Sequence, residues 1–157
     1  MSLIYKLKAL IGKILFNVKI EDELYRYIGL YQRKHVIISR ILEKRFSLKY
    51  GCYISRKANI GKNISFRHPV GVVIGEGVEI ADNAVIYQNV TIGAAKSGDA
   101  LKGFYPKIGH NTTIFSGAVI VGNINIGANC IIGANTVLNK DLKSNSVYTI
   151  NSKDESQ

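Results

Sequence analysis

Tryptophan is absent from this 157-residue chain, methionine occurs once, and proline and cysteine occur twice each. Two cysteines, Cys52 and Cys130, make neither a disulfide framework nor a Cys-x-x-Cys metal spacing. The composition is that of a reducing compartment. No stretch approaches the ~18–20 consecutive apolar residues of a membrane span. Lys6, Lys8 and Lys13 interrupt the apolar start and no small-residue cleavage site comes after them, so no cleavable leader is expected. Three histidines, His35, His68 and His110, lack the spacing of a three-histidine metal site, and no metal is expected. Nor does any nucleic-acid-binding motif accompany the net charge of +10.

What is present is a folded composition, 46% hydrophobic, on a chain of one-domain length. The charge is uneven: residues 1–50 hold 11 Lys/Arg against 4 Asp/Glu, and residues 51–157 hold 10 against 7. Within residues 2–20, Leu3, Ile4, Leu7, Leu10, Ile11, Ile14, Leu15 and Val18 recur at helical spacing, with Lys6, Lys8, Lys13 and Lys19 on the flanks. Lysines bordering an apolar face suit either a helix lying on an anionic membrane or one packed on the protein. A second helical stretch is expected from about Asp22 to Phe46, with Leu24, Ile28, Tyr31, Ile38 and Leu42 on one side. Gly29 would bend or divide it, and Lys49-Tyr50-Gly51 would end it.

From Ile54 onward the pattern changes. Ile54, Ile60 and Phe66 are six apart; so are Ile74, Ile80, Ile86 and Ile92; so are Ile108, Ile114, Ile120, Ile126, Ile132 and Leu138. Small or β-branched residues stand four places on: Ala58, Ile64, Val70, Val78, Ala84, Val90, Thr112, Ala118, Ile124, Cys130 and Thr136. A period of six fits neither a helix nor a plain strand. It fits an all-β solenoid in which three short strands make one triangular coil, with aliphatics stacked inside. Gly61, Gly75, Gly93, Gly109, Gly127 and Gly133 are expected at tight corners needing positive φ, and Asn63, Asn83, Asn111, Asn129 and Asn135 suit corners too. Three parts result: a basic helical segment over 1–50, the coil over 51–143 and a polar tail over 144–157.

The rhythm breaks twice. Phe66 to Ile74 is eight residues, and the excess falls in Phe66-Arg67-His68-Pro69-Val70-Gly71-Val72-Val73. Ile92 to Ile108 is sixteen, so residues 94–106 leave the coil as a loop. Excursions from a regular solenoid are where binding residues are expected.

Residues 51–143 resemble the hexapeptide acyltransferases, in the branch of the serine acetyltransferases and bacterial sugar and polysaccharide O-acetyltransferases. The resemblance is carried by Ile64-Ser65-Phe66-Arg67-His68-Pro69-Val70-Gly71-Val72-Val73-Ile74-Gly75-Glu76, by Tyr87-Gln88-Asn89-Val90-Thr91-Ile92-Gly93 and by Lys96-Ser97-Gly98. Pro106-Lys107-Ile108-Gly109 and residues 118–127 continue it. It implies a left-handed parallel β-helix working as a homotrimer, with acetyl-CoA as acyl donor and sites between subunits. His68 matches the general base, which would deprotonate an acceptor hydroxyl attacking the thioester. Ala94, Ser116, Gly117, Ala134 and Lys140 match coenzyme A contacts.

The departures bear on the acceptor. Tyr53 stands where serine acetyltransferases carry the Asp that orients the base, leaving a backbone carbonyl or water for that task. Arg67 replaces an Asp before the base, and Phe104-Tyr105 replace an Arg-His pair that handles the amino acid. The usual terminal Gly-x-Pro-Ala-type segment is also missing. With Tyr53, Arg67, Phe104 and Tyr105 as acceptor-binding residues, a sugar hydroxyl of a surface polysaccharide is the expected acceptor. The enzyme would be cytoplasmic, peripheral on the inner face of the membrane through residues 2–20. Serine O-acetylation in cysteine biosynthesis is the alternative, and a catalytically inactive scaffold a second.

Overall fold

The computed structural model describes residues 19–152. The amphipathic stretch 2–20, on which the membrane contact rests, lies outside the described residues except for Lys19 and Ile20. Two helices, α1 (Ile20–Gln32) and α2 (Val36–Tyr50), precede fourteen short strands. Glu21, Asp22 and Glu23 sit in the first turn of α1, where carboxylates favour the positive end of the helix dipole. The expected single helix is divided at Arg33-Lys34-His35, where Lys34 takes φ +65°, and not at Gly29. That break resets the buried face. Ser39, Glu43 and Phe46 face inward from α2, while Ile38, expected inside, is 53% exposed. Gly51, in the left-handed region at φ +63°, closes α2.

The strands wind as the left-handed parallel β-helix expected, with three faces. Face A holds β1 (Tyr53–Ile54), β4 (Val73–Ile74), β7 (Thr91–Gly93), β10 (Val119–Val121) and β13 (Val137–Leu138). Face B holds β2 (Asn59–Ile60), β5 (Glu79–Ile80), β8 (Lys107–Ile108) and β11 (Asn125–Ile126). Face C holds β3 (Ser65–Arg67), β6 (Val85–Tyr87), β9 (Thr113–Ile114), β12 (Ile131–Ile132) and β14 (Val147–Tyr148). The solenoid therefore runs past residue 143, since β14 pairs with β12 through Ile131 and Val147.

Each central strand residue points inward, so Ile54, Ile74, Ile92, Ile120 and Leu138 stack into one core column behind face A. Burying each such side chain contributes about 1.5–3 kcal/mol, and only against its neighbouring coils. One expected core position is corrected. Val70 is 63% exposed, and Val72 fills that slot at 0%, because the extra residues precede it.

The corner chemistry also differs from expectation. Asn63, Asn83, Asn111, Asn129 and Asn145 carry the positive φ (56° to 63°), whereas none of the six repeat glycines does. Gly109 is required for space instead: a Cβ there would stand 2.5 Å from the Gly127 carbonyl carbon of the next coil. Stacking distance, not backbone freedom, selects that glycine.

The first coil has no coil before it, and the helices answer its open backbone groups. Tyr27 Oη donates to Ile54 O at 2.7 Å, and Tyr25 Oη donates to Gly61 O at 2.6 Å. Arg56 N donates to Glu43 Oε1 at 2.8 Å, and Phe66 N to Glu21 Oε1 at 3.3 Å. The buried Glu43 also pairs with Arg56. All three faces are thus capped at one end by side chains of α1 and α2.

Candidate active site

Strand register locates both breaks. Partners on face A are twenty residues apart in the first coil (Tyr53 with Val73), eighteen in the second (Val73 with Thr91) and twenty-eight in the third (Thr91 with Val119). The first excess lies at the edge joining face C to face A, the C–A edge. The second lies at the edge joining face A to face B, the A–B edge.

The C–A edge is built as a backbone column. Gly71 N donates to Gly51 O, Asn89 N to Val70 O, Gly117 N to Gln88 O and Asn135 N to Ser116 O, at 2.7–3.0 Å. Gly71, Asn89, Gly117 and Asn135 are the successive left-handed corners of that column, with φ between 55° and 75°. His68 is an additional left-handed residue, at φ +55°. Histidine is among the side chains that tolerate this region, and such a residue outside glycine marks a local constraint. The two extra residues therefore lift His68 out of the stack and leave it exposed on the edge.

Several predicted residues join it there. Ser116, Gly117 and Ala134 lie on the same edge in later coils, at partly or fully exposed positions. Arg67 ends β3 directly before His68, is exposed, and has no ion-pair partner among the described residues. Its register partner is Tyr87, whose ring stacks on Phe115 at 5.0 Å. These aromatics, with Gln88, were not foreseen. The available signal was spacing: Tyr87-Gln88 lies twenty residues beyond Arg67-His68, one coil on.

Other predicted residues stand elsewhere. Ala94 and Lys140 lie at the A–B edge, after β7 and β13, with the Lys140 ammonium 5.7 Å from the Tyr148 ring centre. Tyr53 is half exposed on face A in β1. The loop 94–106 leaves from the A–B edge, at the far end of face A from His68. Phe104 at its tip is 38% exposed, with Lys102 over its ring.

Tyr105 is corrected: it is 7% exposed and offers no face to an acceptor. Its ring covers Gly77, where a Cβ would collide with it, and it fixes the loop to the second coil. Burial and the neighbouring Glu76 carboxylate both raise its phenol pKa. Both cysteines are interior. Cys130 Sγ donates to Lys143 O at 3.2 Å, and burial pushes the Cys52 thiol up to about 11.

Residues 105–140 match the family model described as bacterial transferase hexapeptide (six repeats). The serine acetyltransferase of Staphylococcus xylosus is 40% identical over 109 residues, covering 69% of this chain and 50% of that protein. The serine acetyltransferase of Neisseria gonorrhoeae in complex with serine is similar in structure, with a TM-score of 0.74 and 30% identity. That likeness covers 82% of this chain and 52% of the other. A serine acetyltransferase in complex with CoA gives a TM-score of 0.75 at 27% identity, over 83% and 52% of the two chains. The chain spans about half the length of the curated relatives it matches.

These relatives overturn the sugar acceptor. That expectation counted both Phe104 and Tyr105 as acceptor-binding residues, and Tyr105 is buried.

Proposed function

We propose that this chain, whose coil is similar to the hexapeptide-repeat transferases, acetylates the hydroxyl of serine, with acetyl-CoA as donor. The observation that carries the reading is His68, lifted onto the C–A edge at φ +55° within a coil similar to those of serine acetyltransferases. In this reading His68 accepts the serine hydroxyl proton as the oxygen attacks the thioester carbonyl. The C–O bond forms, the C–S bond breaks, and the proton passes from the imidazole to the departing sulfur. The products are O-acetylserine and free coenzyme A.

Arg67 answers part of the acceptor question. A guanidinium with no carboxylate of its own among the described residues, next to the base, suits the carboxylate of an amino acid. Ser116, Gly117 and Ala134 line the edge along which coenzyme A would lie, and Tyr53 borders the acceptor side. Ala94, Lys140 and Phe104 stand at the opposite end of face A. One chain does not bring the two edges together. A trimer, with His68 of one copy facing the loop edge of the next, would complete the site.

The test is free-thiol release from acetyl-CoA with and without L-serine, with the product weighed by mass spectrometry. Serine-dependent release and O-acetylserine are expected. Release independent of serine, or none, overturns the proposal, the second result being that of an inactive scaffold.

A further inference from the structure

Base catalysis needs an imidazole held in one tautomer, one nitrogen carrying a proton and the other free to take one. The residue that holds His68 is not an acidic one at position 53, which is Tyr53. A different polar group lies directly beside the imidazole's place in the coil.

Gln88 Oε1 is buried and has no hydrogen-bond partner among the described residues. Arg56 Nε is the other such side-chain atom among the described residues, and it belongs to the guanidinium paired with Glu43. A buried amide oxygen without a donor costs about 1–3 kcal/mol, so its surroundings decide which donor can meet it. On one side, Arg67 and Tyr87 are register partners, so His68 and Gln88 each directly follow the last paired residue of their strands. On the other, Asn89 N donates to Val70 O, so the two strands are again in step by residue 70. The stretch His68-Pro69 is thus the surplus between these two paired points, at the same corner as Gln88. Adjacent strands lie ~4.8 Å apart, within reach of a bond between the two side chains. Within that stretch Pro69 carries no N–H, leaving the imidazole as the side-chain donor.

We infer that Gln88 is the positioning residue for His68: its Oε1 accepts the hydrogen bond of one imidazole N–H and leaves the other nitrogen to act as base. An uncharged acceptor fixes the tautomer without adding a carboxylate beside the site. The two-residue insertion then exposes the histidine beside the corner that holds Gln88, and a turn of the imidazole toward Oε1 makes the bond. This inference rests on the reading of His68 as the base.

The experiment compares the full-length protein with Gln88→Leu and Gln88→Glu, using nitrogen-detected NMR of the histidine side chains, with His68 assigned from His68→Gln. The unaltered protein should show His68 in one dominant tautomer, and Gln88→Leu should return it to a mixture. Gln88→Leu should also lower kcat by about tenfold, less than the ~100-fold or more that loss of the base itself costs, with KM for serine within about twofold. Gln88→Glu should keep most of kcat at alkaline pH. Its carboxylate favours the imidazolium, so the acid limb of kcat/KM should move up by about one pH unit or more. An unchanged tautomer and an unmoved acid limb in both folded variants overturn the inference. If the unaltered protein shows no serine-dependent turnover, the serine reading fails, and the tautomer result alone decides the role of Gln88.

Discussion

Two edges of the same prism behave in opposite ways. Along the edge between faces B and C, the side chains of Asn63, Asn83, Asn111, Asn129 and Asn145 donate in series, Nδ2 to Oδ1, at 3.0–3.2 Å. Every coil contributes one residue, every corner is left-handed, and nothing is inserted. Along the C–A edge the corner residue changes from Gly71 to Asn89 to Gly117 to Asn135, no amide ladder forms, and His68 is pushed outward. One edge spends its polar groups on itself. The other leaves them unspent, and under the proposed function the difference separates residues that hold the coil from residues that would do chemistry.

Replacing His68 by Ala is the most severe way to break the contrast. Acetyl transfer should fall at least ~100-fold while the thermal midpoint drops by no more than alanine in the left-handed region costs, because the side chain is exposed and outside the core. Turnover kinetics alongside a melting curve give both numbers; near-normal turnover would remove His68 from the mechanism.

The mirror experiment is Asn111→Ala on the quiet edge. Alanine at φ +57° costs about 1–2 kcal/mol, and two ladder bonds are lost. The midpoint should drop by roughly 5 °C with kcat within twofold. A large loss of activity at unchanged stability would mean the ladder edge has a role the comparison denies it.

The smallest effect sharpens the comparison from inside. Cys130 sits in the small-residue slot behind the ladder, and Cys52 lies behind α2 with its thiol pushed up to about 11 by burial. At pH 8 neither should react with an aromatic disulfide in the folded protein, and both should after unfolding. Immediate reaction of one thiol would show that the interior is open to solvent.

Much of this organisation was legible from spacing alone. The six-residue period named the solenoid, and the interval of eight between Phe66 and Ile74 pointed to His68. What misled was chemistry with two causes. Glycine at a corner suggested positive φ, yet Gly109 is there because the next coil is too close for a Cβ, while the asparagines take the left-handed region. Val70 kept the arithmetic of the repeat but not its place, since an insertion displaces every residue after it and Val72 inherited the core. The division of the helical stretch at Lys34 left no signal as strong as Gly29. Phe104 and Tyr105 looked alike in sequence, and only packing on Gly77 tells them apart. Gln88 was unreadable because its interest lies in what it fails to bond.

The tyrosines and glutamates that α1 and α2 lay against the first coil have a consequence for assembly. A parallel ladder ending in bare amides and carbonyls is a template on which a second molecule could continue, copy after copy, into a filament. Here Tyr25, Tyr27, Glu21 and Glu43 meet a backbone group on each side of the first coil, so that end of the rod is a poorer template for growth.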